Sequence, residues 1–130
     1  MSFRWPLRVY WEDTDAAGIV FYANYLKYFE RARTEWLRSK GFEQERLRVE
    51  RSLGFVVVQT ELRYRSPARL DDALVVTVEP TRLGAASLQV AQQAWRGETL
   101  LCEGTIRVGS VDLATHRPVP MPADILQSLR

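Results

Sequence analysis

The chain has 130 residues, of which 46% are hydrophobic and 26% are charged, as is usual for a globular domain. Its 18 Lys and Arg residues nearly balance its 16 Asp and Glu residues, and a net charge of +2 does not indicate a nucleic-acid-binding protein. The single cysteine, Cys102, excludes an intramolecular disulfide, and with only one histidine an ordinary His/Cys zinc site is also excluded. We therefore predict one domain over residues 1–130 with no metal site.

The amino-terminal segment Met1–Pro6 lacks the apolar run and the small-residue cleavage site of a signal peptide. Apolar runs such as Phe55–Val58 are far too short to span a membrane. We therefore expect a cytoplasmic protein without stable membrane insertion.

The first half of the chain predicts a strand, a turn and a long helix. Leu7–Trp11 is typical of a short strand, and the polar segment Glu12–Gly18 predicts a turn. Apolar side chains then recur every three or four residues, which predicts a helix over Tyr22–Lys40 that Gly41 ends. The apolar stripe of this helix contains Tyr22, Tyr25, Leu26, Phe29, Ala32, Trp36 and Leu37, with Arg33 as its one polar member.

The second half changes to a period of two, which predicts strands. Phe42–Arg51 predicts a short second helix, and the following strands are Leu53–Tyr64 and segments around Leu74–Val78, Leu88–Ala94 and Leu100–Val108. The pattern places Val56, Val58, Thr60, Leu62 and Tyr64 on one face of the first of these strands. Tight turns between the strands imply antiparallel pairing, and a last helical turn is predicted over Ala123–Leu129. The predicted fold class is α+β, with a five-stranded antiparallel sheet wrapped around one long helix.

The turn before the long helix carries the motif Asp13-Thr14-Asp15, for which two interpretations stay open. Asp and Thr are common turn and N-cap residues, so the motif can be purely structural. Alternatively, a carboxylate beside a helix start can act as general base or nucleophile on a carbonyl whose developing negative charge the helix N–H groups stabilise. The residue types alone do not decide between the two.

The segment from Asp13 to Tyr25, together with Glu30-Arg31-Ala32-Arg33-Thr34-Glu35 on the helix, resembles the hotdog-fold acyl-CoA thioesterases. It is similar both to the 4-hydroxybenzoyl-CoA thioesterases and to the small thioesterases encoded beside the Tol-Pal envelope system, the YbgC type. The resemblance covers nearly the whole chain. It implies the hotdog fold and hydrolysis of an acyl-CoA to a free acid and CoA, without a cofactor.

The resemblance also implies roles for particular residues. Asp15 corresponds to the catalytic carboxylate, and the backbone N–H of Tyr22 corresponds to the group that polarises the thioester carbonyl. Many YbgC-type members have His where this chain has Tyr22, so an imidazole role is lost while the backbone role is retained. Asp13 is the other candidate for the catalytic acid, although a turn role suits it better. Whether Asp15 activates water or forms an acyl anhydride stays open.

The candidates for substrate binding are Gly18 of the motif and basic and hydroxyl residues on the strands, since CoA needs cations for its phosphates. Arg63, Arg65 and Arg82 flank turns and are candidates for the CoA phosphates, and Ser87 matches a recurrent hydroxyl. The hydroxybenzoyl branch has basic residues in the region of Gly84-Ala85-Ala86, which this chain lacks.

Three remaining residues with reactive or charged side chains receive structural predictions. We expect Cys102 to be buried and inert, and the only histidine, His116, to lie in a loop. Arg33 is expected to meet a carboxylate across a subunit boundary or at the base of the helix.

The family assembles as dimers with active sites between subunits, often paired into tetramers, so a homodimer or homotetramer is expected here. The alternative function is a non-catalytic acyl-binding or scaffold protein of the same fold, with acyl carrier protein or envelope machinery as its partner.

Overall fold

One strand, two helices, five consecutive strands and a last helix form an α+β fold over residues 2–130, the part of the chain that the computed structural model describes. The strands are β1 (Phe3–Arg8), β2 (Leu53–Tyr64), β3 (Ala73–Leu83), β4 (Ser87–Arg96), β5 (Thr99–Asp112) and β6 (Arg117–Pro118). The helices are α1 (Asn24–Ser39), α2 (Gln44–Arg51) and α3 (Ala123–Leu129), with a short 3₁₀ turn at Trp11–Asp13. The predicted class is confirmed, with two short helices beside the long one.

The sheet is antiparallel throughout, with the strand order β1-β3-β4-β5-β2. The short strand β6 pairs with the end of β5. The five predicted strands are therefore present, and β6 is an addition that the proline-rich tail does not suggest.

Strand β1 lies earlier in the chain than predicted, at Phe3–Arg8 instead of residues 7–11. Pro6 stands in its middle and pairs with Val75 of β3. A proline is tolerated here because β1 is an edge strand, where a missing N–H does not break the ladder. Side-chain exposure alternates along all of β1, as in an ordinary strand, but a proline in the middle of a segment argues against a strand when only the sequence is considered.

Helix α1 packs its apolar stripe on β3 and β1. Tyr25, Phe29 and Ala32 of the predicted stripe are buried, whereas Tyr22 and Leu26 are exposed, and Tyr28, which the stripe does not include, is buried in their place. The helix begins at Asn24, two residues later than predicted, so Tyr22 lies in the turn before it. Its other end follows the prediction, since Gly41 has a φ of 93°, a left-handed conformation that favours glycine after a helix.

Strand β2 is an edge of the sheet, paired with β5 on one side and with no described strand on the other. A bulge between Val57 and Gln59 inserts an extra residue and shifts the alternation of side chains. The prediction of one continuous face from Val56 to Tyr64 is therefore wrong. All six residues from 56 to 61 are exposed, and Val58 is 58% exposed.

The core lies between α1 and the concave face of the sheet. Leu88, Val90, Gln92 and Ala94 of β4 are buried on that face, as their alternation predicts. Ile125 of α3 is fully buried as well. None of the helices within residues 2–130 is long and apolar enough to cross a membrane.

Candidate active site

A tight turn presents Asp15 between β1 and α1. The Asp15 N–H donates to the Ile19 carbonyl at 2.9 Å, and the Gly18 N–H donates to the Asp15 carbonyl at 2.9 Å. Gly18 has a φ of 78°, which a side chain would disfavour. The Asp15 carboxylate accepts the Ala17 N–H at 2.9 Å through Oδ1, so the turn fixes its orientation while the side chain stays exposed.

The turn is also anchored to the rest of the molecule. The Val20 N–H donates to the Ala68 carbonyl at 2.8 Å, and Ile19 forms an antiparallel bridge with Arg69. On the other side, the Phe21 N–H donates to the Asp13 carbonyl at 3.0 Å. Asp15 is therefore held on a loop that both neighbouring segments restrain.

The start of α1 lies directly after this turn and carries an unused donor. Ala23 occupies the N-cap position, and no side chain caps the helix there. Within residues 2–130 the Tyr22 N–H donates to no acceptor. A free N–H at a helix start, with the partial positive charge of the helix behind it, is suited to stabilise an oxyanion.

Asp15 and Tyr22 line the same cleft, which has a volume of about 430 Å³. Its aromatic wall is formed by Tyr22, Tyr25 and Tyr64. The Tyr64 hydroxyl donates to the Tyr22 carbonyl at 2.9 Å, and the Tyr25 hydroxyl accepts the Ala68 N–H at 3.2 Å. Burial raises the pKa of both Tyr25 and Tyr64, so neither phenol acts as a base near neutral pH.

Asp13, the other candidate for the catalytic acid, is buried and does not line the cleft. Its carboxylate accepts the Tyr10 N–H at 2.9 Å. Burial first, and the neighbouring Asp13 carboxylate second, raise the pKa of Tyr28. These contacts are those of a turn residue. The sequence also favours this role for Asp13 over that of a catalytic acid.

The structure brings part of the predicted site together. Arg65 lines the cleft, and its guanidinium forms a 2.8 Å ion pair with Glu103. Arg63 lines a neighbouring groove instead. Arg82 and Ser87 lie near the β3–β4 turn and do not line the cleft of their own chain.

Tyr64 is a cleft residue that the sequence pattern does not identify as part of the site. The pattern places it only on a strand face and gives no sign that the end of β2 meets the turn before α1. The one feature of the sequence that could have identified Tyr64 is its position at the end of a strand, shortly before Ser66-Pro67.

The other candidate reactive groups lie outside the cleft. Cys102 is fully buried, and burial raises the pKa of its thiol to about 12, so the prediction of an inert cysteine is confirmed. His116 is exposed in the turn between β5 and β6, as predicted for a loop. Within residues 2–130 no group of three or more His, Cys, Asp or Glu side chains is arranged to hold a metal ion.

Comparisons with known proteins agree with this arrangement. The acyl-CoA thioesterase YbgC of Haemophilus influenzae is 42% identical over 124 residues, which are 95% of this chain and 91% of the relative. The acyl-CoA thioester hydrolase YbgC of Escherichia coli O157:H7 is 43% identical over 129 residues, which are 98% of this chain and 96% of the relative. Among solved structures, a probable thioesterase from Bartonella henselae has a TM-score of 0.90 at 31% identity, covering 94% of this chain and all of that one.

The family comparison spans the whole site. The sequence model of the Thioesterase-like superfamily matches residues 9–129, from the end of β1 through the turn, the cleft and the sheet to α3. The resemblance to hotdog thioesterases is thus confirmed, and this chain belongs to the Thioesterase-like superfamily.

Proposed function

We propose that the protein hydrolyses acyl-CoA thioesters to a free carboxylic acid and CoA. The observation that carries the proposal is the cleft in which the Asp15 carboxylate and the unused N–H of Tyr22 lie together at the start of α1. The YbgC relatives, named acyl-CoA thioesterase and thioester hydrolase, support the same reaction class. In that reaction a water oxygen becomes bonded to the acyl carbon, the carbon–sulfur bond breaks, and the CoA sulfur gains a proton.

Asp15 and Tyr22 divide the chemistry between them. The Tyr22 N–H stabilises the negative charge that forms on the thioester oxygen, helped by the dipole of α1. Asp15 either takes a proton from the attacking water or attacks the carbonyl itself to form an acyl anhydride that water then hydrolyses. Both routes use the orientation in which the Ala17 N–H holds the carboxylate.

Edge strand β2 supports a homodimer in which the second copy covers the cleft. An unpaired edge with exposed Val56, Val57 and Val58 can pair with another strand, and antiparallel pairing of β2 with its copy would satisfy its free backbone groups. The pairing would extend the sheet across both copies. Covering the cleft would exclude water and strengthen the field of the helix start. Two such dimers would give the expected tetramer.

The same arrangement accounts for the predicted CoA residues that lie away from the cleft. Ser87 of β4 pairs with Gly109 of β5, which pairs with Val56 near the beginning of β2. Antiparallel pairing places the beginning of β2 in one copy beside the end of β2, and therefore the cleft, in the other. Arg82 and Ser87 would thus approach the cleft of the second copy, whereas Arg63 and Arg65 approach that of their own.

A thiol-release assay tests the proposed function. The purified protein is mixed with acyl-CoAs of different chain length and aromatic character, and free CoA thiol is detected with a chromogenic disulfide. We expect enzyme-dependent release for at least one acyl class. The absence of release across the panel, with correctly folded protein, would favour the scaffold alternative. The cytoplasmic location and the acyl carrier protein partner stay predictions.

A further inference from the structure

A second, smaller pocket lies between the C-terminal half of α1 and the sheet, on the side of β2. Its volume is about 140 Å³. Most of its lining is apolar and consists of Trp36, Leu37, Phe55, Leu88, Val108 and Leu129. The polar exceptions are Glu30, Arg33 and Thr34 of α1 and Gln44 of α2, whose amide donates to the Thr34 hydroxyl at 3.0 Å. An apolar pocket with one charged wall suits a ligand with an apolar body and a polar end.

Arg33 is the unusual member of this wall. One Nη1 N–H donates to Oε1 of Gln92 at 2.9 Å, and Gln92 is fully buried. The amide of Gln92 is fixed in that orientation, because its Nε2 donates to the Phe29 and Thr77 carbonyls at 3.1 and 3.3 Å. The expected carboxylate partner of Arg33 is absent from residues 2–130, where no acidic oxygen lies within ion-pair distance of it.

The half-buried guanidinium therefore has donors to spare. Arg carries five N–H donors, and one of them is used by Gln92. Burial lowers the pKa of Arg33, and Glu30, one turn earlier on α1, opposes this effect, so the side chain remains a cation. Covering the remaining donors with a bound ligand would be costly unless that ligand supplies an oxygen acceptor.

In the dimer, which is itself part of the proposed function, this pocket adjoins the cleft of the other copy. The exposed run of β2, residues 56–61, has its centre between Val58 and Gln59. Antiparallel pairing about that centre places Phe55 of one copy opposite Leu62 of the other, about two strand residues, or roughly 7 Å, from its Tyr64. Phe55 lines the small pocket and Tyr64 lines the cleft, so the two spaces would meet across the subunit boundary.

We propose that the small pocket of one copy holds the acyl group whose thioester lies in the cleft of the other, and that Arg33 selects acyl groups with an oxygen acceptor at their far end. This inference rests on the proposed function. A cavity of about 150 Å³ holds a benzene molecule, so this pocket fits an acyl group of about six carbons. A hydroxyl or carboxylate oxygen would accept from Arg33. A plain alkyl end would displace water from those donors without replacing its hydrogen bonds, which disfavours its binding.

Matched six-carbon substrates test the proposal in the wild-type enzyme. We compare kcat/KM for hydrolysis of hexanoyl-CoA, 6-hydroxyhexanoyl-CoA and adipyl-CoA. Palmitoyl-CoA is included as a long-chain substrate. We expect one or both oxygenated substrates to exceed hexanoyl-CoA by about tenfold or more, the range for a hydrogen bond to a charged group. Palmitoyl-CoA should be the poorest of the four. A preference for adipyl identifies a carboxylate ligand, and a preference for 6-hydroxyhexanoyl identifies a hydroxyl.

Variants then assign the preference to Arg33. Arg33→Met keeps the length of the side chain. It should reduce the ratio of kcat/KM for the preferred oxygenated substrate to kcat/KM for hexanoyl-CoA by about 10- to 100-fold. Arg33→Lys, which retains the charge, should keep part of the ratio and covers the case that Arg33→Met folds poorly. Arg31→Met is the matched control, since Arg31 is exposed on the same helix and does not line the pocket.

The two ways of failing are distinct. If the wild type hydrolyses hexanoyl-CoA as fast as both oxygenated substrates, the role of Arg33 is overturned while the proposed function stands. If palmitoyl-CoA is the best substrate, the small pocket is not the acyl chamber. If none of the four thioesters is hydrolysed, this inference is overturned, whereas the proposed function is overturned only if the aromatic and other acyl-CoAs of the full panel fail as well.

Discussion

The hydroxyl of Tyr64 donates a 2.9 Å hydrogen bond to the backbone carbonyl of Tyr22. This hydrogen bond connects the last residue of edge strand β2 to the turn before α1. In that turn, the N–H of Tyr22 is the proposed oxyanion donor. The rings of the two tyrosines are also arranged edge to face, with centroids 6.3 Å apart. The strand that the proposed dimer pairs is therefore in direct contact with the proposed catalytic turn.

Removal of this hydrogen bond should loosen the turn without destroying it. For Tyr64→Phe we expect kcat/KM to fall by about two- to tenfold, the net contribution of one hydrogen bond. Tyr10→Phe is the control, because Tyr10 is 63% exposed and does not line the cleft. Steady-state kinetics with the best acyl-CoA measure the effect, and equal rates for the two variants would contradict a positioning role for Tyr64.

The side chain of Tyr22 is expected to matter less than its backbone. Tyr22→Phe keeps the N–H and the helix start, so its kcat/KM should fall less than about tenfold, whereas loss of a transition-state donor costs about 10²–10³. A phenol hydroxyl is a weak general base, which is why we favour the backbone role. A hundredfold loss in a folded Tyr22→Phe variant would assign catalysis to the hydroxyl.

A charge on the edge of β2 should dissociate the proposed dimer. Lysine on an edge strand opposes strand pairing, so Val58→Lys should shift the protein toward a monomer and lower its activity with it. Val49→Lys is the matched control, since Val49 is 67% exposed but lies on α2. Light scattering after size-exclusion chromatography measures the mass. An active wild-type species of 15.0 kDa, the mass of one chain, would contradict the dimer.

The buried thiol of Cys102 gives a prediction on reactivity and pH. Its pKa is raised to about 12 by burial, so little thiolate exists in the folded protein at pH 8. Iodoacetamide should therefore modify Cys102 slowly in the native protein and rapidly in guanidinium chloride, as followed by mass spectrometry. Because the unfolded thiol loses its proton at lower pH than the folded one, this group should also destabilise the fold as the pH rises above about 9. Rapid labelling of the native protein would contradict the buried position.

The sequence predicts the elements whose pattern is local and regular. The alternation from Leu88 to Ala94 and the helical stripe from Tyr25 to Leu37 each follow from one face being buried. The failures have physical causes that no local pattern carries. A bulge at Val58 breaks the alternation of β2, and Pro6 is compatible with a strand only because β1 is an edge.

The candidate site is predictable only through the motif. Asp15 and Tyr22 are close in sequence, so their resemblance to a thioesterase motif marks them together. Tyr64 reaches the same cleft from 42 residues away, and Arg33 meets Gln92 from 59 residues away. Such contacts depend on which strand pairs with which. Within one chain the partner of Arg33 is a buried amide, and a carboxylate across a subunit boundary stays a prediction.

The kcat/KM of Asp15→Asn with the best acyl-CoA decides whether the Asp15 carboxylate is required for hydrolysis. The amide keeps the shape of the side chain but removes the base and the nucleophile, so a folded variant should lose about 10² or more in rate. Asp71→Asn is the matched control, since Asp71 is exposed, lies outside the cleft and has a φ of 72°, which Asn tolerates well. We expect the loss of rate in Asp15→Asn and not in Asp71→Asn. Hydrolysis by that variant at a rate close to the wild type would remove Asp15 from the mechanism.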